Sequence, residues 1–110
     1  MQLPNAEQAE ITDRKLLTYL LDHAHPQNKG KAAFYAIVGY NNANTEQLKA
    51  ALLKLVLASE VTKVIDTQFG KRYVVEGWLD CPNGKSYSLR TVWFINSDET
   101  IPKLVTAYPN

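Results

Sequence analysis

Residues Arg72 to Asn96, RYVVEGWLDCPNGKSYSLRTVWFIN, decide the fold class. Two runs rich in Val, Tyr, Trp, Phe and Ile flank Pro82-Asn83-Gly84-Lys85. β-Branched and aromatic side chains suit a pleated, half-buried surface, and Asn-Gly tolerates the positive φ angles of a type I′ turn. The segment reads as a hairpin, with Arg72 to Cys81 returning as Tyr87 to Asn96. If Asn83-Gly84 is a two-residue loop, Arg72 faces Ile95, Glu76 faces Thr91 and Trp78 faces Leu89, on a face that also carries Trp93. Tyr73, Val75 and Gly77 then oppose Phe94, Val92 and Arg90 on the other face. A bulge would invert one strand's assignment. Trp78 and Trp93 read as core or cross-strand packing.

The period of two extends in both directions. Val61 to Thr67 is a strand, with a turn at Phe69-Gly70; after a turn at Ser97 to Thr100, Ile101 to Tyr108 (IPKLVTAY) is a fourth strand. Pro102 suits only an edge strand or a strand's start, because proline has no ladder donor. Before residue 60 the apolar spacing is helical. Thr12 or Asp13 can cap a helix carrying Leu16, Leu17, Tyr19, Leu20 and Leu21, which ends at His23-Ala24-His25-Pro26 because a residue before proline avoids the helical region. Lys31 to Tyr40 reads as a second helix, with a strand as the alternative. Asn44 or Thr45 caps a third, about Glu46 to Ser59, whose Leu48, Leu52, Leu55 and Val56 keep the helical period. Residues 1–11 read as extended. The expected fold class is α+β: about three N-terminal helices packed on a four-stranded antiparallel meander. One domain is expected over residues 1–110, helical to about residue 60 and sheet from about residue 61.

Composition narrows function only slightly. The chain has 110 residues, 45% hydrophobic and 21% charged, as in an ordinary globular protein. A net charge of +1 gives no basic excess of the kind that advertises nucleic-acid binding, though it leaves room for a local basic groove. The single cysteine, Cys81, makes no internal disulfide and suits a reducing compartment. No apolar run approaches the ~18 residues of a membrane span, and no signal peptide opens the chain, so a cytoplasmic protein without a membrane partner is expected. A toxin cut from a larger precursor has the same appearance. There is no Gly-rich phosphate cradle, Cys-x-x-Cys pair or His-Glu-x-x-His helix. His23, His25 and Cys81 lack a metal-ligand spacing, so no metal and no cofactor is expected.

The C-terminal strand holds the residues with chemistry. Lys103, Thr106 and Tyr108 are not needed to build a strand, and a lysine, a hydroxyl and a phenol together can bind and polarise a phosphate. Each candidate also has an ordinary structural role. His25 can be a helix-end residue, Lys29 and Lys31 solvated charges, Arg72 a surface strand residue, and Thr91 a β-former. Thr106 and Tyr108 can simply complete an edge strand. Glu76 is the one acidic residue kept as a base, because the assumed register sets it opposite Thr91. Cys81 reads as inert beside Asp80 and Pro82.

The segments LPNAEQAEI, KLLTYLLD, KGKAAF, IVGY, GKRYVV, CPNGK, RTVWFI and KLVTAY occur in this order. In that order the chain resembles a family of small bacterial domains of unknown function, and the C-terminal toxin modules of contact-dependent and phage-associated polymorphic toxins. Those modules are grouped with the barnase, EndoU, colicin and RelE-like ribonucleases. The resemblance implies a helical N-terminal part, an antiparallel sheet and a metal-independent RNA-cleaving site on that sheet. Its implied partners are RNA as substrate and a small antitoxin or immunity protein. Matched positions give His25, Lys31, Arg72, Thr91, Thr106 and Tyr108 as catalytic candidates, with Lys29 and Lys103 for substrate phosphate. His25 belongs to a His-Pro variant where many toxin relatives carry Lys or Ser, and Arg90 stands where relatives are often apolar. Such cleavage needs a base for the 2′-hydroxyl, an acid for the leaving 5′-oxygen, and donors aimed at the phosphorane. By intrinsic pKa His25 suits either proton role.

Overall fold

The computed structural model describes residues 1–110. Three helices precede a four-stranded antiparallel sheet, confirming the α+β class. A 3-10 turn at Ala6–Gln8 leads into α1, which is α-helical over Asp13–Lys15 and passes directly into a π turn over Leu16–Leu20. α2 is Lys31–Val38 and α3 is Thr45–Leu57. β1 (Val61–Thr67), β2 (Gly70–Asp80), β3 (Ser86–Asn96) and β4 (Lys103–Pro109) pair in sequence order.

The helix ends follow local chemistry. Thr12 caps α1, its hydroxyl accepting the Lys15 amide. The first helix stops at Leu20 rather than at Pro26, because the Asn28 side chain takes up the carbonyls of Tyr19 and Leu20. Asn44 occupies the N-cap of α3 but turns its side chain back to Asn41 and Gly39. The N-terminal segment is not extended throughout: after its 3-10 turn, Glu10 runs parallel to β4, donating to Pro102 and accepting from Leu104.

The hairpin register differs from the two-residue loop expected. Asp80 pairs with Ser86, Trp78 with Ser88, Glu76 with Arg90 and Arg72 with Phe94. The loop is the three residues Pro82 to Gly84: the Gly84 amide donates to Cys81, and Gly84 sits at φ 83°. Proline supplies the fixed negative φ of the second position of a type I turn, so Pro82-Asn83 form the turn and Gly84 the left-handed residue after it. The one-residue slip exchanges the face of one strand relative to the other. Tyr73, Val75, Leu79, Leu89, Thr91 and Trp93 all point at the helices, and Arg72, Glu76, Trp78 and Arg90 at the open side.

The core lies between that one sheet face and the helices. Leu16, Leu20, Tyr35, Val38, Leu48, Leu52 and Leu55 meet Tyr73, Val75, Leu89, Trp93, Leu104 and Ala107. Gly77 lets the end of α3 approach, since a Cβ there would stand 3.0 Å from Leu55 Cγ and 2.3 Å from the Oγ of Ser59 just beyond the helix. Two buried phenols tie helices to strands: Tyr35 donates to the Ala107 carbonyl at 2.7 Å and Tyr40 to that of Asp80 at 2.5 Å. Burial raises Tyr35 well above the ordinary phenol range and pushes Tyr40 up to about 12. The unfolded chain releases these protons near pH 10 and the folded chain holds them, so stability falls as pH rises above 10. The expected slope is up to about 1.4 kcal/mol per pH unit per phenol. Denaturant melts between pH 9 and 12 check this, and Tyr40→Phe flattens the decline. Cys81 is buried; burial and then the Asp80 carboxylate raise its thiol to about 11, which keeps it unreactive at neutral pH.

Candidate active site

Asn28 assembles the ground on which the site stands. It is 3% exposed. Its amide donates to the Tyr19 and Leu20 carbonyls at the end of α1, and its Oδ1 accepts the Ala32 amide at the start of α2. The loop passes through Lys29 and Gly30 with positive φ, 53° and 87°, and delivers Lys31. The π turn, closed by the Leu21 amide on the Leu16 carbonyl, shifts the side-chain register within α1 and faces Tyr19 toward β4. A bulge at Val105 lies opposite, where the β3–β4 register slips between Val92 and Trp93.

These three irregularities bring together Tyr19, His25, Lys31, Thr106 and Tyr108. Tyr19 Oη lies 3.1 Å from Thr106 Oγ1. Lys31 Nζ stands 5.5 Å from the Tyr19 ring centre and 5.6 Å from that of Tyr108, and donates to the Asn28 carbonyl. Lys15 Nζ stands 5.0 Å from the Tyr19 ring centre. The His25 ring meets Tyr19 edge-on at 5.1 Å. Its Nδ1 accepts the Gln27 amide at 3.0 Å, which leaves Nε2 as the hydrogen-bond donor of the neutral ring. Burial acts to raise the Tyr19 phenol, but the Thr106 hydroxyl and the Lys31 and Lys15 ammoniums outweigh it, so its pKa lies below the ordinary 10.0. A phenol beside two ammoniums and a hydroxyl is poised to give up its proton.

On the open sheet face Tyr108 continues a row across three strands, Tyr108–Arg90–Glu76. Both Nε and Nη2 of Arg90 donate to Glu76 Oε1, at 3.0 and 2.8 Å. Arg90 holds the Glu76 carboxyl below the usual carboxylate range, so Glu76 is an anchor for Arg90 rather than a base. Seven of the 12 Lys and Arg side chains face no carboxylate within 4.0 Å. Six of those seven line three depressions around Thr106 and Tyr108: Arg14 and Lys15 in one, Lys29 and Lys31 in the second, Lys63 and Arg72 in the third. Two other depressions, around Gly70 and around Tyr40, contain no unpaired Lys or Arg. The near-neutral chain therefore sets six of its seven unpaired cations in depressions that include Thr106 or Tyr108.

Of the residues expected from sequence, His25, Lys31, Thr106 and Tyr108 come together, with Lys29 beside them and Arg72 in the depression that Tyr108 borders. Two do not. Lys103 is opposite Phe94 toward the other end of β4, 3.5 Å from the Glu99 carboxylate. Thr91 is fully buried on the helix-facing side, the opposite face from Arg72, because of the register slip. Its hydroxyl donates to the Val75 carbonyl and accepts from Trp93 Nε1, both at 2.8 Å. Thr91→Val orphans the Trp93 N–H at constant volume. The expected result is a loss of about 1–3 kcal/mol in a denaturant melt, with the folded protein's activity unchanged. Tyr19, Arg14 and Lys15, which the sequence did not single out, lie at the same cluster, and Arg90, set aside there as doubtful, pairs with Tyr108. The legible signal for Tyr19 was Lys15 four residues earlier, on the same helical face.

The polar groups at this site are cations, hydroxyls and phenols. No group of three His, Cys, Asp or Glu side chains gathers in the chain, and no helix is long and apolar enough to cross a membrane. The fold is shared with a chain of a contact-dependent growth inhibition toxin–immunity protein complex from Klebsiella pneumoniae 342, with a TM-score of 0.74 and 16% identity over 96% of each chain. The chain belongs to the family described as a domain of unknown function, DUF6883, which matches residues 2–110. No curated protein matches it.

Proposed function

We propose that the chain is an endoribonuclease toxin domain that cuts RNA without a metal ion and is neutralised by an immunity protein or antitoxin. One observation carries this reading: Lys31 stands over both Tyr19 and Tyr108, with Thr106 bonded to Tyr19 and the unpaired Lys15 also over the Tyr19 ring. Tyr19, its pKa lowered, takes the proton of the RNA 2′-hydroxyl. That oxygen attacks phosphorus, the P–O5′ bond breaks, and the Tyr108 phenol protonates the leaving 5′-oxygen. The products are a 2′,3′-cyclic phosphate and a 5′-hydroxyl; solvent then takes the proton from Tyr19, restoring its phenolate, and returns one to Tyr108. Lys31 and Lys29 neutralise the phosphorane oxygens. His25 Nε2–H donates to phosphate, its Nδ1 being held by Gln27. Thr106 orients Tyr19, and Arg72 holds a flanking phosphate. The working compartment is the cytoplasm, the producer's own or that of a target cell, and all of residues 1–110 form the toxin domain.

The likeness to a chain of a toxin–immunity complex supports this reading through the fold alone. A second reading, a non-enzymatic protein-interaction module on the same fold, draws on β1. That edge strand is exposed over nearly all its length and carries exposed Val64 and Ile65, with exposed Phe69 in the following turn. Expression in bacteria separates the two. The enzyme arrests growth, Tyr108→Phe relieves the arrest, and so does co-expression of a neighbouring open reading frame. Harmless high-level expression of the wild type contradicts the toxin.

A further inference from the structure

We infer that the open sheet face carries a single-stranded stretch of the RNA, with one base stacked on Trp78. This rests on the ribonuclease reading above and names its substrate class. Trp78 lies within β2 and is 68% exposed, although a tryptophan ordinarily buries most of its indole. The other tryptophan, Trp93, is fully buried. Trp78 shares its face with the row Tyr108–Arg90–Glu76, two residues further along β2 from Glu76. Strand geometry puts its backbone about two strand spacings, ~10 Å, across from Tyr108 and ~7 Å along. A base on Trp78 therefore belongs to a nucleotide close to the one cut beside Tyr108.

The charges around it suit a polyanion. Glu76 and Asp80, the carboxylates flanking Trp78 along the strand, are each ion-paired, with Arg90 and Lys54. Lys63 and Arg72 line the same face without a partner carboxylate. Lys63, paired with Val74, and Arg72 lie about 13–20 Å along the strands from Trp78, so they can track the backbone of a strand whose base stacks on the ring. In a duplex the bases are stacked on one another and closed to a side chain, so the inferred substrate is unpaired RNA.

Tryptophan fluorescence tests this, because Trp93 is buried and Trp78 is the residue an oligonucleotide can reach. The probe is a 2′-O-methyl RNA of about eight nucleotides, which cannot be cut, added to the full chain. The expected result is quenching by the single strand and little by the same strand annealed to its complement. Read by the anisotropy of a dye-labelled strand, Trp78→Ala weakens binding about 5- to 150-fold, while Trp78→Phe retains most of it. Wild-type cleavage with Trp78→Ala binding unchanged overturns the inference and leaves the ribonuclease reading standing. Equal binding of the duplex also overturns it. Quenching by a co-expressed immunity protein but not by RNA reassigns the face to protein docking. A wild type that neither cuts nor binds RNA ends both readings.

Discussion

If the chain is the proposed ribonuclease, Tyr19→Phe is expected to lower RNA cleavage by about 10²–10⁴-fold while leaving the fold intact. That range is the usual worth of a positioned proton-transfer group. The ring and its packing against His25 and the two lysines stay, and only the oxygen bonded to Thr106 is lost. The pH profile gives a second readout. The phenol's pKa is lowered from its ordinary value, so wild-type kcat/KM carries a rising limb with pH as the phenolate forms. Tyr19→Phe lacks that limb. Linkage keeps the stability effect small at neutral pH. A depressed acid pKa adds stability only once the folded-state phenol ionises; the gain is complete above the unfolded value of about 10 and is lost as pH falls through the folded pKa. Near pH 7 the substitution costs only the Thr106 hydrogen bond, about 1 kcal/mol. Equal cleavage by both proteins across pH 6–9 removes Tyr19 from the mechanism.

The second large effect is on folding. Asn28→Ala removes three hydrogen bonds from a nearly fully buried side chain. It strands the Tyr19 and Leu20 carbonyls and the Ala32 amide together. At about 1–3 kcal/mol for each buried group left unpaired, with partial rescue by water, a loss of roughly 2–4 kcal/mol is expected. That is a large fraction of a small domain's stability. Asn28→Asp keeps the acceptor for the Ala32 amide but sets a buried carboxylate oxygen against the Tyr19 and Leu20 carbonyls, so it is no milder. Because the same bonds set Tyr19 against Lys31, Asn28→Ala also lowers the activity of molecules that remain folded. Thermal melts with activity normalised to the folded fraction separate the two effects. A melting temperature within 1–2 °C of wild type (roughly 0.5 kcal/mol or less) refutes Asn28 as the organiser.

The elements of the fold were legible because their periodicities are strong. The alternation from Val61 onward and the helical spacing of Leu48, Leu52, Leu55 and Val56 stand out against the turn residues between them. The register was not. Asn83-Gly84 fits a two-residue turn in isolation, and only Pro82 as the first turn residue reveals the longer loop. That single step moved Thr91 into the core and put Trp78 on the open face. Part of the site was legible through the hydroxyl, phenol and lysine of IPKLVTAY and through Lys31. Tyr19 does pack against the core beside its leucine neighbours, and only Lys15 four residues earlier marked it out, because the π turn leaves no trace in the apolar spacing. The Glu76–Arg90 pair depended on the register as well.

The proposed RNA-cleaving centre consists of Tyr19, Lys31, Thr106 and Tyr108. Its most direct measurement is a cleavage assay with the purified chain in a chelator, using end-labelled RNA and mapping the new ends. The expected result is strands ending in 2′,3′-cyclic phosphate, with at least about a hundredfold loss in Lys31→Ala and Tyr19→Phe proteins that still melt cooperatively. An intact RNA pool after long incubation with excess folded wild-type protein, or cleavage that persists undiminished in both variants, contradicts it.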